Sequence, residues 1–101
     1  MAIKMRILQT YDIVHEKEFL VLEKKFAALE KRRRDFPKGV RYKPLSSALP
    51  TNTLIWESEF ATVNAAQQAL KLFDRDPEHE ALASQQRKYF REVRIEFLEK
   101  L

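Results

Sequence analysis

With 101 residues, 45% of them hydrophobic and 34% charged, the chain is sized for one packed domain spanning 1–101 and is too apolar to be disordered. It has no cysteine and a single glycine, Gly39, which excludes disulfides, cysteine-based metal sites, thiol nucleophiles and glycine-rich phosphate loops. The formal net charge of +4 arises from 19 basic and 15 acidic residues and is concentrated in residues 15–43, which carry ten basic and five acidic side chains.

Residues 3–14 alternate in polarity and predict a strand. Met5, Ile7, Gln9, Tyr11 and Ile13 share one face, while Lys4, Arg6, Leu8, Thr10 and Asp12 share the other. Residues 16–34 switch to helical spacing, with Phe19, Leu22, Phe26 and Leu29 in one stripe and Glu16, Glu23 and Glu30 beside it. Acids lead and bases trail, as the helix dipole favours. Pro37 and Gly39 predict the stop, proline by being unable to continue the helix and glycine by relaxing the turn.

Residues 40–47 and 53–60 read as two strands joined through Leu49-Pro50-Thr51-Asn52. Pro44 lacks a backbone donor and marks the first of them as an edge strand or a bulge. In the second, Leu54, Trp56, Ser58 and Phe60 face one way; Thr53, Ile55, Glu57 and Glu59 face the other. Thr62 is placed to cap a helix with Val63, Ala66, Leu70 and Phe73 as its stripe. Asp74-Arg75-Asp76-Pro77 breaks that helix. Asp76 then caps and Pro77 opens a third helical stretch running through Leu82, Gln86, Tyr89 and Phe90. Val93, Ile95 and Phe97 alternate with polar residues in a last strand, although no glycine or proline separates it from the helix, so residues 91–101 read as strand or helix.

The order is β-α-β-β-α-β with a broken second helix. It specifies an α+β, ferredoxin-like domain with helices over one face of an antiparallel sheet. In that topology the first strand is central. Its second face is half apolar and too large to leave bare in so small a domain, and a homodimer closed over it is the expectation. No stretch approaches the roughly 20 apolar residues of a membrane span. Lys4, Arg6, Gln9 and Asp12 interrupt any export signal near the start. A cytoplasmic protein without membrane partners is therefore expected.

The segment LIWESEFATVNAAQQAL, the helix break, and then DRDPEHEAL and YFREVRIEFL resemble the dimeric α/β-barrel superfamily. That group includes antibiotic-biosynthesis-monooxygenase-like and NIPSNAP-like proteins. The resemblance covers nearly the whole chain and implies the fold and the dimeric barrel. A basic-patch nucleic-acid binder is one alternative, drawn from the charge of residues 15–43; the resemblance implies a cofactor-independent oxygenase or isomerase acting on a small organic molecule or, as some ferredoxin-like domains are, a non-enzymatic ligand-binding or regulatory module. It does not decide whether the chain is an enzyme.

The candidate cleft is the charged sheet face, where Arg6, Thr10, Glu57, Glu59, Arg94 and Glu96 should gather, with Arg6 reaching acids on both sides. Such a cluster suits a polar ligand or a tuned carboxylate base, and equally an ion-pair network at an interface. His79 falls in the first turn of the third helix, where the dipole disfavours protonation. Haem-degrading members of the superfamily carry a histidine on this helix, an asparagine on the first strand and a nearby tryptophan. Here the first strand offers Gln9, and Trp56 lies more than twenty residues upstream of His79, so no haem or other cofactor is expected. His15 and His79 have no metal-ligand spacing, and no metal is expected. Trp56 reads as a core aromatic, and Tyr11 and Tyr42 as ligand-orienting or packing groups. Lys31-Arg32-Arg33-Arg34 reads as a solvated helix C-terminus before it reads as a phosphate patch, and nucleic acid is not the expected partner.

Overall fold

The structure is a computed structural model that describes residues 2–101. Strand β1 (Ile3–Tyr11) leads through a 3₁₀ turn (Ile13–His15) into helix α1 (Glu16–Arg32). Strands β2 (Val40–Tyr42) and β3 (Thr53–Phe60) follow, then α2 (Val63–Arg75), α3 (Pro77–Gln86), a second 3₁₀ turn (Arg87–Tyr89) and β4 (Phe90–Glu99). The sheet is antiparallel throughout, in the order β2-β3-β1-β4, so β1 is central as expected and β4 lies on an edge. The last segment is strand. It pairs with β1 along its whole length, from Ile3 opposite Glu99 to Tyr11 opposite Phe90.

The caps explain the boundaries. The Thr62 hydroxyl accepts from the Ala65 N–H and opens α2. Asp76 accepts from the His79 N–H and opens α3, with Pro77 at its first position. Four expected elements are corrected. β1 ends at Tyr11, not at residue 14, because Asp12 turns back to accept from the Val14 N–H, and Ile13 and Val14 are left exposed. α1 ends at Arg32, where the Lys38 ammonium donates to the carbonyls of Glu30, Arg33 and Phe36. β2 is only three residues long, because Pro44 cannot extend a ladder. The third helical stretch stops at Gln86, and Phe90 already belongs to β4.

Helices cover one face of the sheet. Met5, Trp56, Ala66 and Ala69 form one buried cluster; Tyr11, Phe19 and Leu54 form another, with Tyr11 stacked on Phe19 at 4.3 Å between ring centroids. The Tyr11 hydroxyl donates to Glu16 at 2.6 Å, and burial together with that carboxylate pushes its pKa upward. Tyr11 is thus a packing residue, while Tyr42 is exposed. The helical layer stops short of β4. Val93, Ile95 and Phe97, which lie beside Gln9, Ile7 and Met5 on the helix-covered face, remain 40–45% exposed. Among the described residues no helix is long and apolar enough to cross a membrane.

Candidate functional site

The charged face predicted on β1, β3 and β4 forms, but as separate groups. At its centre the Arg6 guanidinium donates to Glu57 through Nε at 2.8 Å, with Glu96 at 4.0 Å on the other side. Lys4 adds a second cation 3.4 Å from Glu57, and Arg94 pairs with Glu96 at 3.4 Å. Thr10 turns away from this group to share a hydrogen bond with Thr53 at 3.2 Å, close to where Leu49 and Pro50 fold over the sheet. Glu59 lies toward the far end with Lys4 and Leu98. Every charge at the centre has a counter-charge, and this is an ion-pair network before it is a cleft. Arg6→Ala should cost about 1 kcal/mol, because it leaves a nearly buried Glu57 with only Lys4. Lys31→Ala on exposed α1 should cost less than about 0.5 kcal/mol. Equal shifts of the two urea midpoints would refute the network.

His79 is not on that face. It lies on the opposite, helix-covered side, in a partly enclosed cavity of about 160 Å³ between sheet and helices. The cavity is apolar on most sides, with Ile7, Phe26, Trp56, Phe73 and Phe90 on its walls. The His79 ring stacks on Phe73 at 4.8 Å and 7° between planes and tilts against Phe26. Gln9, Trp56 and His79, far apart in sequence, line the same cavity. The separation of Trp56 from His79 in sequence therefore did not separate them in space.

A polar cluster closes one side. Glu23 and Glu30 are both buried on α1, and both are held by Arg41 of β2, whose Nε donates to Glu23 at 2.6 Å and whose Nη2 donates to Glu30. Burial opposes the charge on Arg41, but its hydrogen bonds to the two carboxylates outweigh that and raise its pKa. Gln86 donates to Glu23 at 2.9 Å; Trp56 Nε1 at 3.3 Å and the Gly39 N–H at 3.1 Å donate to Glu30. The donors of Arg41, Gln86 and Trp56 are thus already engaged. Two buried atoms are not paired: Gln9 Oε1, an acceptor, and His79 Nδ1, an acceptor when the ring proton is on Nε2, have no hydrogen-bond partner among the described residues. Burial lowers the His79 pKa against the pull of the nearby carboxylates of Asp76, Glu30, Glu80 and Asp74, so the ring is neutral at pH 7. The expectation of a neutral imidazole holds, with desolvation as the leading cause.

Reading the sequence did not place Glu23, Glu30, Arg41 or Gln86 in a site. Its one available signal was the seven-residue spacing of Glu16, Glu23 and Glu30, which puts three acids along one line of α1 beside the apolar stripe. At the end of α1, Arg33 is tied to Asp35 and Asp76 at 2.8 Å, and Arg32 to Glu78, so two of the four cations of the basic run are paired locally. Among the described residues no three histidine or acidic side chains are grouped to hold a metal ion. A haem does not fit the cavity: a porphyrin needs a broad apolar slot, and this space is small and edged by two carboxylates.

No family model matches the chain, and no curated protein matches it in sequence. Solved structures do match in fold. A NIPSNAP family protein from Agrobacterium tumefaciens superposes with a TM-score of 0.81 at 11% identity, over 100% of this chain and 94% of that one. An uncharacterized NIPSNAP domain protein from Burkholderia xenovorans gives 0.79 at 14% identity, over 100% and 95%. A putative antibiotic biosynthesis monooxygenase from Nitrosomonas europaea gives 0.67 at 11% identity, over 99% and 90%. The ferredoxin-like α+β fold and the resemblance read from the sequence are therefore shown at the level of architecture.

Proposed function

We propose that this protein binds a small, mostly apolar organic molecule between its helices and its sheet, and that it does so as a homodimer. The observation that carries the reading is the pair of unpartnered buried acceptors, Gln9 Oε1 and His79 Nδ1, in residues that line one apolar cavity. Each such group costs roughly 1–3 kcal/mol when left unsatisfied, and native proteins rarely leave two in one place. A ligand that donates hydrogen bonds would remove that cost once the Gln9 and His79 side chains turn these closed-off atoms toward the cavity.

Trp56 is the only tryptophan and lines the cavity, so its emission reports occupancy. Titration with benzyl alcohol, a one-ring molecule with one donor, should change that emission saturably in the millimolar range, as expected for so small a ligand. Ala83→Phe places a ring in the cavity and should abolish the change while leaving the far-UV circular dichroism intact. A response that survives the substitution would remove this site.

The dimer reading is supported by the open sheet face with its Arg6 network and by the exposed stripe Val93, Ile95 and Phe97. Light scattering at micromolar concentration should give twice the 12.0 kDa chain mass; a monomer mass would refute it.

A second reading, catalysis, is favoured by the neutral His79. A base in an apolar pocket can take a proton from a bound molecule, the first step of isomerisation or of cofactor-independent oxygenation. The protein should then speed deuterium exchange from D₂O into the methylene of phenylacetone, and His79→Gln should lose that effect. Identical rates with both proteins would leave binding as the sole function.

A further inference from the structure

Resting on the cavity reading above, we infer that the polar end of the ligand is a positively charged nitrogen, an ammonium or amidinium group, carried on a one-ring apolar body. Three features of the cavity converge on this class.

The first is hydrogen-bond polarity. Gln9 Oε1 and His79 Nδ1 are the two unpartnered buried atoms, and both accept when the imidazole carries its proton on Nε2. The donors of Trp56, Arg41, Gln86 and Arg87 nearby are already used. Trp56 and Arg41 donate to Glu30, Arg41 and Gln86 donate to Glu23, and Arg87 at the rim donates through both Nη atoms to Glu80. A ligand with acceptors only, such as a carboxylate or phosphate, would leave Gln9 Oε1 and His79 Nδ1 unpaired.

The second is charge. Glu23 and Glu30 are both buried, at 7% and 8% exposure, and share one guanidinium. That leaves an excess of one negative charge on this wall. The charged groups around His79 itself are Asp74, Asp76, Glu30 and Glu80, with Arg33 and Arg87 committed to Asp76 and Glu80. The chain as a whole carries +4, so the sign of the cavity is opposite to that of the molecule. In a partly dry site a cation gains from this excess and an anion is repelled.

The third is shape. A cavity of about 160 Å³ resembles those that admit a single benzene ring. Its aromatic walls, Phe26, Trp56, Phe73 and Phe90, offer ring faces to a cation.

The test compares three probes of one skeleton by Trp56 emission: benzylammonium, benzyl alcohol and phenylacetate, each against the wild-type chain and Ala83→Phe. Benzylammonium should bind at least ten-fold more tightly than benzyl alcohol, and phenylacetate should produce no change over the same range. Glu23→Gln should reduce the preference for the ammonium to less than three-fold while benzyl alcohol still binds. Gln9→Met, which keeps length and volume, should weaken both donors.

Equal or stronger binding of benzyl alcohol, or any preference for phenylacetate, would overturn the charge assignment and leave the cavity reading standing. An ammonium preference unchanged in Glu23→Gln would overturn it too. Absence of any response from all three probes, or responses indifferent to Ala83→Phe, would overturn the inference together with the site.

Discussion

Arg41→Ala should cost about 3–5 kcal/mol, the usual penalty for removing one partner of a buried ion pair. Arg41 is the one guanidinium shared by Glu23 and Glu30, whose side chains are only 9% and 11% exposed. Truncation would strand two carboxylates in the same partly dry space. A domain of this size has roughly 5–15 kcal/mol of stability in total. At about 4–8 °C per kcal/mol, the midpoint of thermal unfolding should fall by at least about 12 °C. The surface pair Arg32 with Glu78 provides the control. Both side chains are more than half exposed, so Arg32→Ala should cost less than about 1 kcal/mol. The penalty belongs to the stranded charges, so Arg41→Ala combined with Glu23→Gln and Glu30→Gln should recover part of the loss. A drop of less than about 5 °C in Arg41→Ala would mean that the two glutamates are well hydrated, and the negative cavity wall would go with them.

Gly39→Ala should be nearly as damaging, for a reason that has nothing to do with backbone conformation. Gly39 has no positive φ, so the expectation that glycine relaxes the turn is corrected. What Gly39 supplies is space. A Cβ there would lie 1.7 Å from Trp56 Nε1 and 2.1 Å from Cε2. The indole is buried, at 5% exposure, and its N–H is committed to Glu30. It must move, and the bond to Glu30 and the cavity wall move with it. Overpacking of this kind costs roughly 1–3 kcal/mol and occasionally more; so close a contact with an immobile ring belongs at the upper end. Urea unfolding followed by Trp56 emission reads both effects, as a lower midpoint and a shifted native spectrum. Adding Trp56→Phe, which removes the pyrrole edge and the only tryptophan, should restore part of the midpoint relative to Gly39→Ala alone when both are followed by far-UV circular dichroism. A midpoint within about 0.5 kcal/mol of wild type would show that the indole has another place to go.

Several elements were legible in the residues alone because the forces that set them act over a few positions. Alternation over residues 3–11 and 53–60, the stripe Phe19, Leu22, Phe26 and Leu29, the Thr62 cap and the Asp76-Pro77 restart are local signals, and each produced its element. The order of types then limited the topology to very few sheets, and β1 emerged at the centre. The same local reasoning placed Arg6 between Glu57 and Glu96, because facing residues in a ladder follow from register.

Only the tertiary structure decided the site. Arg41 meets Glu23 and Glu30 across 18 and 11 residues, and Gln86 meets Glu23 across 63. No periodicity encodes such pairs, and an acid beside an apolar stripe looks the same whether it ends in water or against a guanidinium. Trp56 and His79 were separated in sequence but share one cavity, since the face of β3 that carries Trp56 is turned toward the helical layer that includes α3. The charged face was visible because its members alternate along strands; the apolar cavity was not, because an empty space leaves no pattern in the residues around it. Burial is what turned Gln9 and His79 from ordinary polar side chains into unpartnered ones, and burial is a property of the packed molecule.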